Sequence, residues 1–160
     1  MEPLFIRPMT EKDIPAAALV LARAFNSSAF HTEQQLADIP AKGHLMQAFV
    51  ATRKDAVIGV AICERKGPAT ASTLTIELLA VEQEHRKHGV GASLMRHTEK
   101  FMQRHWLDGK EKDVLIEDLT KRGNNMSRYY ENMGYKEWFG MSQSGMPLLY
   151  KTLKPQPPAP

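Results

Sequence analysis

Between Thr73 and Leu94 an apolar segment passes through a charged turn with two glycines into an amphipathic one, and this junction constrains the fold more than any other stretch. Leu74, Ile76 and Leu78 alternate as on a strand, before Leu79, Ala80 and Val81 break the alternation. Beyond the turn, Val90, Leu94, Phe101 and Met102 fall along one face of a long helix running to about Trp106. A strand that feeds a helix in this way requires a sheet with a helix layered on it.

The remaining segments fit the same layering. Leu4 to Arg7 reads as a short strand ended by Pro8. Thr10 is placed to cap a helix with Asp13 three residues on, and Ile14, Ala17, Ala18, Leu21, Ala22 and Phe25 then recur at helical spacing. A weaker helical region spans 31–46, interrupted by Pro40 and Gly43. Residues 48–51 and 57–62 flank the polar Thr52-Arg53-Lys54-Asp55, which predicts a hairpin. Further on come a short buried-type strand over 113–117, a helix from Asn125 to Met133 stopped by Gly134, and two strands near 135–141 and 148–153. Strands that come singly and in hairpins, with helices between them, call for a mixed α/β sheet covered by helices and not a regular parallel array. Residues 1–153 are expected to form one domain. The Pro-rich segment 154–160, with four prolines in seven residues, is expected to be an extended, flexible tail.

Composition excludes several classes. Hydrophobic residues at 42% and charged residues at 24% are the mix of a soluble globular protein. The net charge of +3 is too small to argue for nucleic acid, and no aromatic-basic stripe accompanies it. Cys63 is the single cysteine, so no internal disulfide forms and a reducing compartment is expected. No apolar run approaches the roughly 20 residues of a membrane-spanning helix, and no secretory signal is visible. A cytoplasmic protein without a membrane partner is the expectation. His85, His88, His97 and His105 do not have the spacing of a zinc site, so no metal is expected.

The turn itself points to chemistry. Glycine adopts positive φ and allows another molecule to approach the backbone, and successive N–H groups at a helix start suit anionic oxygens. Arg86, Lys87 and His88 beside Gly89 and Gly91 add positive potential, which favours a phosphate or pyrophosphate. The alternative is an ordinary glycine turn that starts a helix. A nucleotide P-loop fits badly, because Ala92 and Ser93 stand where its lysine and hydroxyl belong. A dinucleotide fingerprint fits no better: the residues Glu82 to His88 separate Val81 from Gly89, and Leu94 occupies the place of the third glycine.

The segment Leu79-Ala80-Val81 followed by Arg86-Lys87-His88-Gly89-Val90-Gly91 resembles the acetyl-CoA-binding motif of the GNAT N-acetyltransferase superfamily. The likeness extends to Ile6-Arg7-Pro8-Met9-Thr10-x-x-Asp13, to the hairpin over 49–61, and to Tyr129-Tyr130-Glu131-Asn132-Met133-Gly134-Tyr135. The glycine motif and the tyrosine element occur in the family's order, about 40 residues apart, which makes the pair more specific than either alone. The implied fold is α/β (α+β): a single-domain GNAT-like fold with a mixed, mostly antiparallel central sheet of six to seven strands flanked by about four helices.

The resemblance also implies roles. Acetyl-CoA would be the cosubstrate. Leu79, Ala80 and Val81 would lie along the pantetheine arm near a bulge, with the Val81 N–H polarising the thioester carbonyl. The N–H groups from Arg86 through Lys87, His88, Gly89, Val90 and Gly91 to Ala92 would hold the pyrophosphate. Glu77 is the candidate base for the amine, with Glu82 as second choice, and the alternative for Glu77 is a solvated strand carboxylate. Tyr130 matches the family's general acid for the departing thiolate, the alternative being an amphipathic core tyrosine. Counting back seven residues from Tyr130, where the family carries an asparagine that contacts pantetheine, gives Gly123, with Asn124 and Asn125 following.

The function implied is acetyl transfer to a primary amine, in a small molecule or a peptide, by direct attack in a ternary complex. A non-catalytic acyl-CoA-binding module on the same fold is the alternative, and a nucleic-acid-binding domain is the weakest reading. Family members shape the acceptor site between the first strand and the hairpin, here about 25–47, where Phe30, His31, Glu33 and Asp38 lie. A homodimer is an assembly found among such proteins, and no feature of this sequence requires it.

Overall fold

The computed structural model describes residues 2–26, 29–68, 72–117, 126–141 and 147–156. Its strands are β1 (Phe5–Pro8), β2 (Met46–Arg53), β3 (Ala56–Lys66), β4 (Thr73–Val81), β5 (Lys112–Glu117), β6 (Lys136–Met141) and β7 (Pro147–Leu153). Its helices are α1 (Ile14–Phe25), α2 (Ala29–Ala37), α3 (Val90–His105) and α4 (Met126–Glu131), with short 3₁₀ turns at Glu11–Asp13, Pro40–Lys42 and Gln83–His85. The seven strands form a sheet in the order β1-β2-β3-β4-β5-β7-β6. Pairs β1–β2, β2–β3, β5–β7 and β6–β7 are antiparallel, while β4–β5 is parallel. Parallel neighbours need a crossover, and α3 supplies it between β4 and β5. The expected mixed, mostly antiparallel architecture is therefore the observed one.

The chain divides into two compact units. The first comprises residues 1–64 and 78–100, the second 65–77 and 101–160. In the first unit the central strands are apolar on both sides. Ala48, Val50, Val60, Ile62 and Ala80 form one core with Ala17, Ala18, Val20 and Leu21 of α1 and Leu36 of α2. Phe49, of opposite parity, meets His97 of α3 edge-on at 4.8 Å between ring centroids. Because residues i and i+1 of a strand face opposite ways, near-continuous hydrophobicity in β2 and β3 follows from helices on both faces.

Local chemistry explains the first unit's corners. Asp13 closes the start of the helical segment: its carboxylate accepts from the Thr10 N–H at 2.7 Å, and the Asp13 N–H donates to Thr10 O at 3.0 Å. Arg7 of β1 donates twice to the same carboxylate, at 2.6 and 2.9 Å, and holds its pKa down to about 2. The hairpin turn is tighter than the four polar residues suggest. Thr52 and Arg53 stay in the ladder opposite Val57 and Ala56, across a register shift after Ala51, and Lys54 and Asp55 alone turn the chain. Both take positive φ, 49° and 63°, the backbone that matches strand twist in a two-residue loop.

In the second unit Leu74, Ile76, Val114, Ile116, Leu149 and Leu153 share strand parity and are buried. The opposite parity, with Thr75, Leu115, Leu148 and Tyr150, is half-buried. α4 is shorter than the predicted 125–133. Its last turn closes through Met133 and Tyr135 N–H groups donating to Tyr130 O, both at 3.0 Å, across Gly134 at φ 95°.

Candidate active site

Strand β4 carries the first part of the site. Its parallel register joins Leu74, Thr75 and Ile76 to Val114, Leu115 and Ile116, and among the described residues it stops there. Leu79 and Val81 lie further down the strand, half-buried, with Ala80 buried between them in the core of the first unit. Burial alternates from Thr73 to Ile76; Glu77, Leu78 and Leu79 are then all half-buried, before Ala80 is buried and Val81 half-buried.

After Val81 the chain makes a short 3₁₀ turn. The Glu82 N–H donates to Ile58 O at 2.8 Å and the Arg86 side chain returns to the strand, its Nε donating to Val81 O at 2.8 Å. Arg86 therefore ties the turn to the end of β4. Its own N–H donates to Gln83 O at 3.3 Å, so the Arg86 amide already has an acceptor within the turn. Lys87 and Gly89 both take positive φ, 65° and 81°, and reverse the backbone into α3. Arg86, Lys87 and His88 are exposed.

Helix α3 makes its first intrahelical bond from Ser93 N–H to Gly89 O at 3.0 Å. The N–H groups of Val90, Gly91 and Ala92 precede it in the first turn, where an α-helix offers no intrahelical acceptor. They point, with the positive end of the helix dipole, toward the exposed cationic turn. This set of donors fits an anionic diphosphate.

What seats the helix start on the sheet is Gly59 of β3. A Cβ there would lie 2.9 Å from Leu94 Cδ1, 3.3 Å from Ala80 O and 3.4 Å from Val90 Cγ1. A side chain here would make Leu94 shift and would crowd the Ala80 carbonyl. The sequence reading placed Gly59 in a hairpin strand and missed its role, because its partners are more than twenty residues away in the chain.

Two carboxylates were singled out for proton transfer. Glu82 is engaged: Arg23 of α1 donates to its Oε1 at 2.6 Å, and its side chain is only 14% exposed. Glu77 stands in the second unit beside a small cavity of about 80 Å³ lined by Lys66, Thr75, Ile76, Leu115 and Leu148. The Thr75 hydroxyl donates to Glu77 Oε1 at 2.6 Å, and Lys66 Nζ lies 3.1 Å from the same oxygen. Thr75 was legible as a neighbour, two residues along the same face. Lys66, at the far end of β3, was not.

Tyr130 is buried at 6% exposure in α4. Its ring meets Tyr129 at 5.4 Å and Tyr135 at 6.2 Å, both edge-on. Lys151 of β7 braces this turn: its Nζ donates to Met133 O at 2.9 Å and stands 5.7 Å from the Tyr135 ring centre. Asn124 and Asn125, with Gly123, lie outside the described residues. Of the acceptor-region acids, Glu33 is half-buried on α2 and Asp38 is exposed just after it. Cys63 is a core thiol: burial pushes its pKa up to about 12. Among the described residues no group of His, Cys, Asp and Glu is placed to hold a metal ion, and no helix is long and apolar enough to cross a membrane.

Residues 45–137 match the acetyltransferase (GNAT) domain family. The chain belongs to this family. The matched span runs from β2 through α4 and includes the β4 strand, the glycine turn and Tyr130. Solved structures agree on the fold. Ard1 from Thermoplasma volcanium superposes with a TM-score of 0.71 at 19% identity, over 94% of this chain and 97% of that one. The ribosomal-protein-S18-alanine N-acetyltransferase from Escherichia coli gives 0.70 at 18% identity, over 99% of both chains. The toxin AtaT, solved with acetyl-CoA and the C-terminus of its antitoxin AtaR, gives 0.68 at 18% identity, over 94% of this chain and 93% of that one. No curated protein matches in a sequence search. As a GNAT protein, the chain has the fold of enzymes that use acetyl-CoA.

Proposed function

We propose that this chain is an acetyl-CoA-dependent N-acetyltransferase that moves acetyl to a primary amine by direct attack within a ternary complex. The observation that carries this reading is the junction of β4 with α3. There Lys87 and Gly89 at positive φ present the Val90, Gly91 and Ala92 N–H groups beside an exposed cationic turn. The diphosphate of acetyl-CoA would accept from these donors. Leu79 and Val81 would align the pantetheine arm along β4, with the Val81 N–H directed at the thioester oxygen. One such donor contributes about 2.7–4 kcal/mol where it meets developing negative charge.

An alkylammonium has no lone pair to attack with, its pKa lying near 10.4, so a base must act first. Glu77 is that base, directly or through one water, held in orientation by Thr75. Tyr130 would return a proton to the departing sulfur. The acceptor is a primary amine of a small molecule or a peptide. One observation favours the alternative, an acyl-CoA-binding module without turnover: Glu77 is already ion-paired with Lys66, so an incoming amine must displace that contact.

The test is in two parts. Calorimetry with coenzyme A is expected to show heat and a rise in melting temperature; no binding overturns the proposal. Release of free coenzyme A over a panel of primary amines then separates enzyme from module, tight binding with no turnover on any amine favouring the module.

A further inference from the structure

We infer that the second unit holds a binding site for a free α-amino acid with an apolar side chain, its ammonium taken by Glu77 and its carboxylate by Lys66. All residues of this site belong to that one unit, so binding there involves no step of the transfer. On the transferase reading above, the amino group of this ligand is the acceptor; binding itself does not depend on that reading. Lys66, the last residue of β3, and Glu77 of β4 stand at the cavity of about 80 Å³. One water-sized group needs about 10–15 Å³, so the cavity has room for the charged end of a small molecule. Lys66 Nζ lies 3.1 Å from Glu77 Oε1, and the side chains are 55% and 34% exposed, which keeps both charges within reach of solvent. The Thr75 hydroxyl donates to the same oxygen at 2.6 Å and orients the carboxylate.

The two charges decide the class of ligand. A simple amine that comes to Glu77 also comes to the Lys66 ammonium, and like charges that close repel. A simple carboxylate that comes to Lys66 meets the same difficulty with Glu77. A molecule with both groups on one carbon turns each repulsion into an attraction, its ammonium facing Glu77 and its carboxylate facing Lys66. It exchanges an exposed ion pair, which holds together only weakly, for two charge-assisted hydrogen bonds. Leu115 and Leu148 are apolar walls of the cavity. Leu115 lies beside Thr75 in the sheet and opposite Tyr150 of β7, whose ring Trp138 meets edge-on at 5.4 Å. Leu115, Leu148 and Tyr150 are half-buried, so this strip accepts an aliphatic or aromatic side chain and disfavours a polar one.

The experiment is calorimetry on the whole chain without acetyl-CoA, with L-leucine as the probe. Glycine, isopentylamine and 4-methylpentanoate are the comparisons, lacking the side chain, the carboxylate and the amine respectively. Leucine is expected to bind about 10-fold or more tightly than each, roughly what one hydrogen bond to a charged group or one buried aliphatic side chain supplies. In Lys66→Met, leucine should lose its advantage over isopentylamine and keep that over 4-methylpentanoate. In Glu77→Gln the pattern should reverse. These ratios are read within one variant, so a general loss of folding does not imitate them, and the wild-type series needs no variant. No heat from leucine, either singly charged analogue binding the wild-type chain as tightly as leucine, or unchanged ratios in both variants overturns the inference. Coenzyme A titrated into the same sample separates the two readings. Coenzyme A binding with no response to leucine overturns the amino-acid site alone. Leucine binding without coenzyme A binding upholds the site and overturns the transferase, and silence to both overturns both.

Discussion

The two compact units of this protein carry their chemistry in different materials. In the first, the candidate phosphate cradle is backbone: N–H groups of Val90, Gly91 and Ala92, shaped by positive φ at Lys87 and Gly89 and seated by Gly59. In the second, the candidate groups are side chains: the Glu77 carboxylate with Thr75 and Lys66, and the Tyr130 phenol in its cluster of tyrosines. A backbone site tolerates changes of most side chains around it and fails when a glycine gains one. A side-chain site fails when a single functional atom is exchanged, even where the fold is untouched.

The sharpest break in that contrast is Glu77→Gln. Exchanging one oxygen is expected to lower kcat by about 10³-fold, within the range of a positioned general base, while coenzyme A affinity holds. Steady-state kinetics with calorimetry checks both; wild-type turnover would remove Glu77 as the base. Tyr130→Phe comes next, with kcat lowered by about 10²-fold and binding again unchanged. Unaltered turnover there would leave Tyr130 as a core residue.

The backbone side of the comparison predicts the reverse pattern. Gly59→Ala places a Cβ 2.9 Å from Leu94 Cδ1 and 3.3 Å from Ala80 O, so Leu94 at the start of α3 must repack. It should cost about 1–3 kcal/mol of stability, as overpacking does, and weaken coenzyme A binding more than kcat. Gly89→Ala is the control for strain without crowding. Nothing lies within 4 Å of a Cβ at that position, yet φ is +81°, so about 1–2 kcal/mol is expected from conformation alone. Urea denaturation and calorimetry distinguish them, and equal coenzyme A affinity in all three proteins would refute the backbone cradle.

The smallest effect concerns a corner away from either site. Arg7 holds the Asp13 carboxyl at a pKa of about 2, below its ordinary 3.8. A carboxyl depressed in the folded state adds stability that is present in full above its unfolded pKa and lost as pH falls through the folded one. The contribution is about 1–2 kcal/mol, since Arg7 is partly solvated. Asp13→Asn should therefore cost that much at neutral pH. The gap from wild type should close between about pH 4 and pH 2 in acid-unfolding curves.

How much was legible follows from where the causes lie. Thr10 and Asp13, the hairpin, strand 73–81, the long helix to His105 and the stop at Gly134 were all read from neighbours in sequence, because capping, pleat and helical period are local. The two-residue turn at Lys54-Asp55 is shorter than the polar run around it, since neither residue is glycine and their positive φ is set by the ladder they close. Arg86 was read as one donor among several. In the fold its N–H serves the 3₁₀ turn, and its side chain, returning to Val81 O, serves the strand end. Glu82, the second candidate base by sequence, is held by Arg23 of α1.

By itself the chain of residues determined the order of elements, the face each buries and the position of the glycine turn, for these depend on spacing along the backbone. Only the tertiary structure decided that Gly59 seats α3, that Arg23 occupies Glu82 and that Lys66 stands against Glu77. Each of those contacts joins residues at least eleven apart. Ion pairs and close packing act over a few ångströms in space whatever the separation in sequence, so a pattern of neighbours along the chain holds no record of them.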